Sequence, residues 1–113
     1  MKRAVLILAI LAFAGRVVAS EDDFRRGMEA LAARDYPAAL SMLEVAVGAN
    51  PDSVRYASEY RQAVIVAKQY DRCLKFFEKL VAQYPKSGNA HLNYGFAYVD
   101  KIPAAGSITQ VIL

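Results

Sequence analysis

Few residues in this sequence have the types and spacing that enzyme chemistry requires. The single cysteine, Cys73, and the single histidine, His91, stand well apart in the chain, without the surroundings of a nucleophile elbow or a papain-like site. One residue of each type is also too few for a zinc site, which needs three or four ligands. The acids Glu21, Asp22 and Asp23 suit a solvated helix start, stabilised by the helix dipole, better than a catalytic pair. We therefore predict no catalytic site, no metal and no cofactor.

Packing roles explain Cys73 and His91 more simply than catalysis does. Cys73 cannot form an internal disulfide because it is alone, and buried thiols are typically inert, so we predict a small packing residue. For His91 we predict a packed or half-exposed side chain.

The first residues have the pattern of a targeting segment. Lys2 and Arg3 precede a short, unbroken apolar run, 4–15, and small residues follow up to Ala19. This order is typical of a secretory signal peptide, here residues 1–19, that is cut after Ala19. The alternative is a membrane anchor formed by residues 4–19, although a spanning helix needs about 20 apolar residues. We expect an exported protein, periplasmic or secreted, that meets a membrane only if this segment is retained.

Removal of residues 1–19 would also change the charge balance. Lys2, Arg3 and Arg16 leave with the segment, so 14 basic residues become 11, against 11 acidic ones. A formally neutral chain gives no support to nucleic-acid binding, which depends on a basic surface.

Four basic residues recur at helical spacing in the second half of the chain. Acidic residues interleave with them, and Asp71 stands four residues before one of them, so we predict a solvated helix face. These four are Lys68, Arg72, Lys75 and Lys79.

Helical periodicity extends from Glu21 onward. Apolar residues recur at spacings of three and four, and proline and glycine stand mostly at plausible helix ends. Pro37 suits the first turn of a helix, and Pro51 prevents the same helix from continuing. Ser53 and Ser87 are suitable N-caps for later helices. The pattern predicts five helices arranged as pairs.

These helix pairs recur at one fixed interval, the distance along the chain from Tyr36 to Tyr70. The same interval separates Leu40 and Leu74, Pro51 and Pro85, Tyr60 and Tyr94, and Ala63 and Ala97; Gly27 and Gly95 are separated by twice that interval. A hairpin of two short helices cannot bury its apolar faces alone, so repeated hairpins stack on one another. In these residues the chain resembles the tetratricopeptide repeat family, whose unit is a helix hairpin of this length.

The resemblance implies an all-α solenoid of antiparallel helix hairpins that winds into a right-handed superhelix. Its units here would be residues 20–53, residues 54–87 and a partial third, 88–113, or about two and a half repeats after the signal segment. By the same resemblance, Gly27 and Gly95 allow close helix packing. Arg61 replaces the small residue of the second unit, which implies a wider helix separation there.

The resemblance also implies a function in binding rather than catalysis. In this family the first helices of successive units line a groove that holds an extended peptide or a partner helix. An exported interaction or scaffold protein of bacterial type is therefore expected, with either a protein partner or another part of the same protein covering the groove. The matching groove positions are Phe24, Met28, Arg55, Ser58, Gln62, Asn89, Leu92 and Phe96.

The third unit departs from the repeat pattern. Ile102 and Pro103 stand where a polar turn is expected, and the apolar Val111, Ile112 and Leu113 follow. Repeat arrays normally finish with a polar capping helix. We expect either a fragment of a longer array or self-association through this uncapped C-terminal end. Alternatively, the module is a docking or spacing arm of a longer envelope enzyme or assembly factor whose active domain lies beyond residue 113.

Overall fold

The computed structural model describes residues 20–104, which form five helices. Helix α1 covers residues 20–32, and it is followed by α2 (Tyr36–Ala49), α3 (Val54–Ala67), α4 (Tyr70–Gln83) and α5 (Gly88–Ala104). No strand occurs in this range, and the predicted all-α architecture is confirmed. The proposed signal segment and the chain from residue 105 onward lie outside the described residues.

The predicted helix starts depend on local hydrogen bonds. Pro37 lies in the first turn of α2, where its missing N–H removes no helical hydrogen bond. The Ser53 hydroxyl accepts a hydrogen bond from the main-chain N–H of Tyr56 at 3.1 Å, and the Ser87 hydroxyl accepts one from that of Ala90 at 3.1 Å. Each serine therefore satisfies a main-chain donor that the first turn of a helix leaves unpaired.

The core lies between the helices and is continuous from α1 to α5. Helix α2 packs against α3, and α4 packs against α5, so each hairpin is covered by the next one. Cys73 is buried, which confirms its packing role, and burial raises the pKa of its thiol to about 12. The largest fully buried side chains are Tyr60, Phe77, Leu40, Leu43, Leu80, Val47, Val64 and Cys73.

Tyr60 of α3 links three helices. Its buried ring makes edge-to-face contacts with Phe76 and Phe77 of α4, with centroid distances of 5.1 and 5.7 Å. Its hydroxyl donates to the carboxylate of Glu44 on α2 at 2.5 Å, and Arg72 of α4 donates two hydrogen bonds of 2.8 Å to the same carboxylate. Burial and the adjacent Glu44 raise the pKa of Tyr60, so the phenol keeps the proton that it donates.

Two predictions about polar side chains are wrong. Arg72 is not part of a fully solvated face, because its guanidinium lies half-buried against Glu44. Asp71 pairs with Lys101 of α5 at 2.8 Å and not with the nearby lysine of its own helix, since α4 packs on α5. For His91 only the packed alternative fails, because the residue is exposed, and its ring lies 2.8 Å from the carbonyl oxygen of Pro85.

Gly27 and Gly95 occupy equivalent repeat positions in different surroundings. A Cβ atom at Gly27 would lie 2.8 Å from both Cγ and Cδ2 of Leu43, and 3.2 Å from its main-chain nitrogen. The close packing predicted for Gly27 is therefore confirmed. A Cβ atom at Gly95 would meet no heavy atom of the described residues within 4 Å. Within this part of the chain, the corresponding face of α5 is open.

We predict opposite stability changes for Gly27→Ala and Gly95→Ala. Overpacking against Leu43 costs about 1–3 kcal/mol, which exceeds the roughly 1 kcal/mol that alanine gains over glycine in a helix. Gly95→Ala gains helix propensity without a clash, so its free energy of unfolding should rise. Urea unfolding of dilute protein, followed by circular dichroism, measures both changes. Equal stabilisation by the two substitutions would show that Leu43 moves aside without cost.

Candidate protein-binding groove

An open depression of about 600 Å³ lies between α1 and α3. Its floor is aromatic, because the rings of Phe24 and Tyr56 stack with a centroid distance of 4.4 Å. The guanidinium of Arg55 lies 4.8 Å from the centroid of Phe24, a cation–π distance. Charges of both signs therefore surround an apolar floor. The lining residues are Glu21, Phe24, Arg25, Met28, Glu29, Ala32, Arg55 and Tyr56.

Three of the predicted groove residues meet in this depression. Phe24 is only 6% exposed, so it shapes the floor and is also part of the core. Met28 is half-buried and packs against the core, while Arg55 is exposed. Of these three residues, Arg55 is the one that a partner could contact most freely, followed by Met28.

Ser58 and Gln62 extend the exposed face along α3. They follow Arg55 at intervals of three and four residues, so the three side chains lie along one side of the helix. Both are exposed. The depression therefore continues into a polar strip that leads along α3.

Asn89 is half-buried, and its amide holds the start of α5 in place. Its side-chain N–H groups donate to the main-chain carbonyls of Pro51 at 2.9 Å and Ser53 at 3.1 Å, in the loop between α2 and α3. In the same region, the Ser87 hydroxyl donates to Asp52 at 2.6 Å. These bonds fix the start of α5 against the start of α3.

Phe96 and Leu92 are one helical turn apart and lie next to each other on the exposed side of α5. The buried Ala97 marks the inner side of this helix. Phe96 lies on the flank that faces α3, where the guanidinium of Arg61 is 4.5 Å from its ring centroid, yet the residue remains 40% exposed. Leu92 is 55% exposed and lies nearly opposite Ala97, as the helical repeat requires. Phe96 therefore borders α3, and Leu92 lies beside it, further from the buried side of α5.

Arg61 is a groove residue that the sequence reasoning did not select. Its Nε donates to Asp100 of α5 at 3.0 Å and its Nη1 donates to Asn93 at 3.3 Å. The side chains of Arg61 and Asp100 are each only 16% exposed, and the guanidinium also covers Phe96. The available signal was an arginine at the repeat position that Gly27 and Gly95 occupy in the preceding and following units.

The described residues carry no sign of a reaction centre. Between residues 20 and 104, no group of three or more His, Cys, Asp or Glu side chains could hold a metal ion. In the same range, each buried side-chain nitrogen or oxygen has a hydrogen-bond partner. None of the helices described is long and apolar enough to span a membrane.

Stacked helix hairpins with an exposed face along their first helices define a helical-repeat protein. A family model described as tetratricopeptide repeat matches residues 30–92, more than half of the chain. The chain therefore belongs to the tetratricopeptide repeat family, as predicted. Repeats of this family generally mediate protein–protein interaction and are typically non-catalytic. No curated protein and no solved structure matches the chain significantly.

We predict that Arg61→Ala destabilises the fold far more than Lys101→Ala. Without Arg61, the largely buried Asp100 carboxylate loses its cation and two hydrogen bonds, which costs about 1–3 kcal/mol. Lys101→Ala is the matched control, because it removes an exposed ion pair to Asp71 whose contribution is small. Chemical unfolding measures both variants. Equal losses would show that water solvates Asp100 adequately without Arg61.

Proposed function

We propose that this chain binds a peptide or a helix of another protein along the face formed by α1, α3 and α5, and so acts as a scaffold. The observation that carries the proposal is the open depression between α1 and α3, with its stacked aromatic floor. From there the exposed face continues through Ser58 and Gln62 towards Phe96. An extended segment or a helix fits such a surface better than a compact small molecule does.

The face offers apolar contacts, hydrogen bonds and one accessible cation of α3. Met28 and Phe96 supply partly exposed apolar surface, while Ser58 and Gln62 can donate or accept hydrogen bonds. Helix α3 contains two arginines. Arg61 is paired with Asp100, so Arg55 is the one that can meet a carboxylate of the partner.

We predict that Gln62→Trp and Phe96→Ala each reduce partner capture by about tenfold, equivalent to about 1.4 kcal/mol of binding free energy. Tryptophan blocks the polar strip, and Phe96→Ala removes an aromatic contact of the kind that dominates many interfaces. Val45→Trp is the control, because Val45 is exposed on α2 outside this face. Quantitative affinity capture, followed by mass spectrometry, measures the proteins retained by each variant.

The helical content of all three variants should remain near that of the unmodified protein. Retention of the same proteins at the same level by Gln62→Trp and Phe96→Ala would overturn the proposed groove. Loss of cooperative unfolding in Phe96→Ala would assign that ring to the core instead.

We also propose that the protein is exported and acts in the periplasm or outside the cell. The support is the pattern of residues 1–19, with its basic start, short apolar run and small residues before position 20. Amino-terminal sequencing of the protein from its native cells should find Ser20 as the first residue. An intact Met1 in the membrane fraction would contradict cleavage and favour an anchor formed by residues 4–19.

The second candidate role is a docking or spacing arm of a longer envelope enzyme or assembly factor. The length of α5 favours this role. By the repeat interval, which leads from Tyr70 at the start of α4 to Ala104, a new helix should begin at Ala104, but α5 continues to that residue. The repeat pattern therefore changes at this point. Sequencing the gene past the codon for Leu113 distinguishes the two roles, since a catalytic domain supports an arm and further repeats support a scaffold.

A further inference from the structure

We propose that the outward side of α5 binds a second copy of this chain in an antiparallel helix pair. This surface, the outer seam, consists of Leu92, Gly95, Val99 and Ile102. It lies on the side of α5 away from the core, and its residues Leu92 and Val99 border Phe96 of the groove, one turn away on the same helix. The second copy is a further partner, on a surface that adjoins the proposed groove.

The outer seam has the spacing of a helix-pairing surface. Its residues follow one another at intervals of three, four and three, the pattern that places side chains along one line of a helix and allows two helices to pack. Leu92, Val99 and Ile102 are 55%, 58% and 40% exposed. Three large apolar side chains in one line are more than scattered surface residues, because an uncovered apolar patch normally marks an interaction site.

Gly95 shows that the outer seam suits the close approach of another helix. Its equivalent in the first unit, Gly27, lies against Leu43 of α2, so a helix covers that face directly. Among the described residues nothing covers Gly95. The covering helix of the third unit would begin, by the repeat interval, at Ala104, but this residue still belongs to α5. In the first unit, α2 covers the face that contains Gly27. No equivalent helix begins at position 104 of the third unit.

The arrangement of the outer seam is self-complementary about residue 97. Leu92 and Ile102 stand at equal distances on either side of that position. Gly95 and Val99 also stand at equal distances from it, closer to the centre. In an antiparallel pair with a two-fold axis at this level, Leu92 would meet Ile102 of the second copy. Gly95 would meet Val99 of the second copy, so the smallest residue would face a branched one. A two-fold pair uses the same patch on both partners, as this symmetry requires.

Charge does not oppose a second copy. The two charged residues of α5, Asp100 and Lys101, are paired with Arg61 and Asp71 of the same chain. The outer seam itself contains no ionisable side chain. Two identical faces can therefore meet without repulsion between like charges, which would otherwise oppose a self-pairing surface.

The size of the outer seam predicts a weak dimer. The stretch of helix from Leu92 to Ile102 is about 15 Å long. One helix pair of this length is small beside the roughly 1,200–2,000 Å² that stable interfaces bury. We therefore expect a reversible dimer whose population rises with protein concentration in the micromolar range.

Sedimentation equilibrium of the mature chain, residues 20–113, between about 1 and 500 µM to cover this range, tests the proposal. We expect Val99→Lys to raise the dimer dissociation constant at least tenfold, because it places a lysine of each copy near the two-fold axis. Val45→Lys is the matched control, since Val45 is 55% exposed on α2, and it should leave dimerisation unchanged. Gln62→Trp should also leave it unchanged, so failure of the dimer and failure of the groove remain distinguishable.

A mixing experiment tests the antiparallel orientation. Leu92→Glu and Ile102→Lys should each weaken self-association when alone. An equimolar mixture should recover it, because one new Glu–Lys pair and one original Leu–Ile pair form in each mixed dimer. Three results would each overturn the proposal. The first is a mixture that does not recover self-association, the second is a chain that stays monomeric at all concentrations, and the third is an equal effect of Val45→Lys and Val99→Lys. A dimer that appears only after removal of residues 105–113 would also overturn it, since that segment would then be the natural occupant.

Discussion

The buried hydroxyl of Tyr60 determines how the two complete hairpins fit together. A phenol in an apolar core needs a hydrogen-bond acceptor, and Glu44 supplies one from α2. That half-buried carboxylate in turn needs a cation, which Arg72 supplies from α4. Each group is acceptable in the interior only because the next is present. The resulting arrangement ties α2, α3 and α4 together and leaves the opposite side of α3, with Arg55, Ser58 and Gln62, facing solvent.

Repeat periodicity was sufficient to predict the hairpins, because the apolar spacing and the residues at helix ends are local signals. Gly27 was recognised as a packing residue because a position that recurs within a known repeat carries its own structural meaning. The periodicity could not show which predicted groove side chains are covered by residues of neighbouring helices and loops. Phe24 was placed in the groove but is mostly buried by Tyr56, and Asn89 was assigned to partner contact although it binds the preceding inter-unit loop.

Long side chains were the least predictable part of the structure. Asp71 was paired with a lysine of its own helix by spacing alone, whereas packing of α4 on α5 brings Lys101 closer. Arg61 likewise reaches into the next unit, where its guanidinium forms an ion pair with Asp100 and lies over the ring of Phe96. Such contacts depend on the separation of helices that are distant in sequence. A single sequence with a helical period does not contain that separation explicitly.

The loop between α2 and α3 is held partly through its main chain. Asn89 binds the carbonyl oxygens of Pro51 and Ser53, and such oxygens are present whatever side chain the loop carries. Substitutions there leave both acceptors in place, whereas an inserted or deleted residue would move them out of reach. Related chains should therefore keep the length of this loop, together with Asp52, which accepts from Ser87, and Ser53, which caps α3.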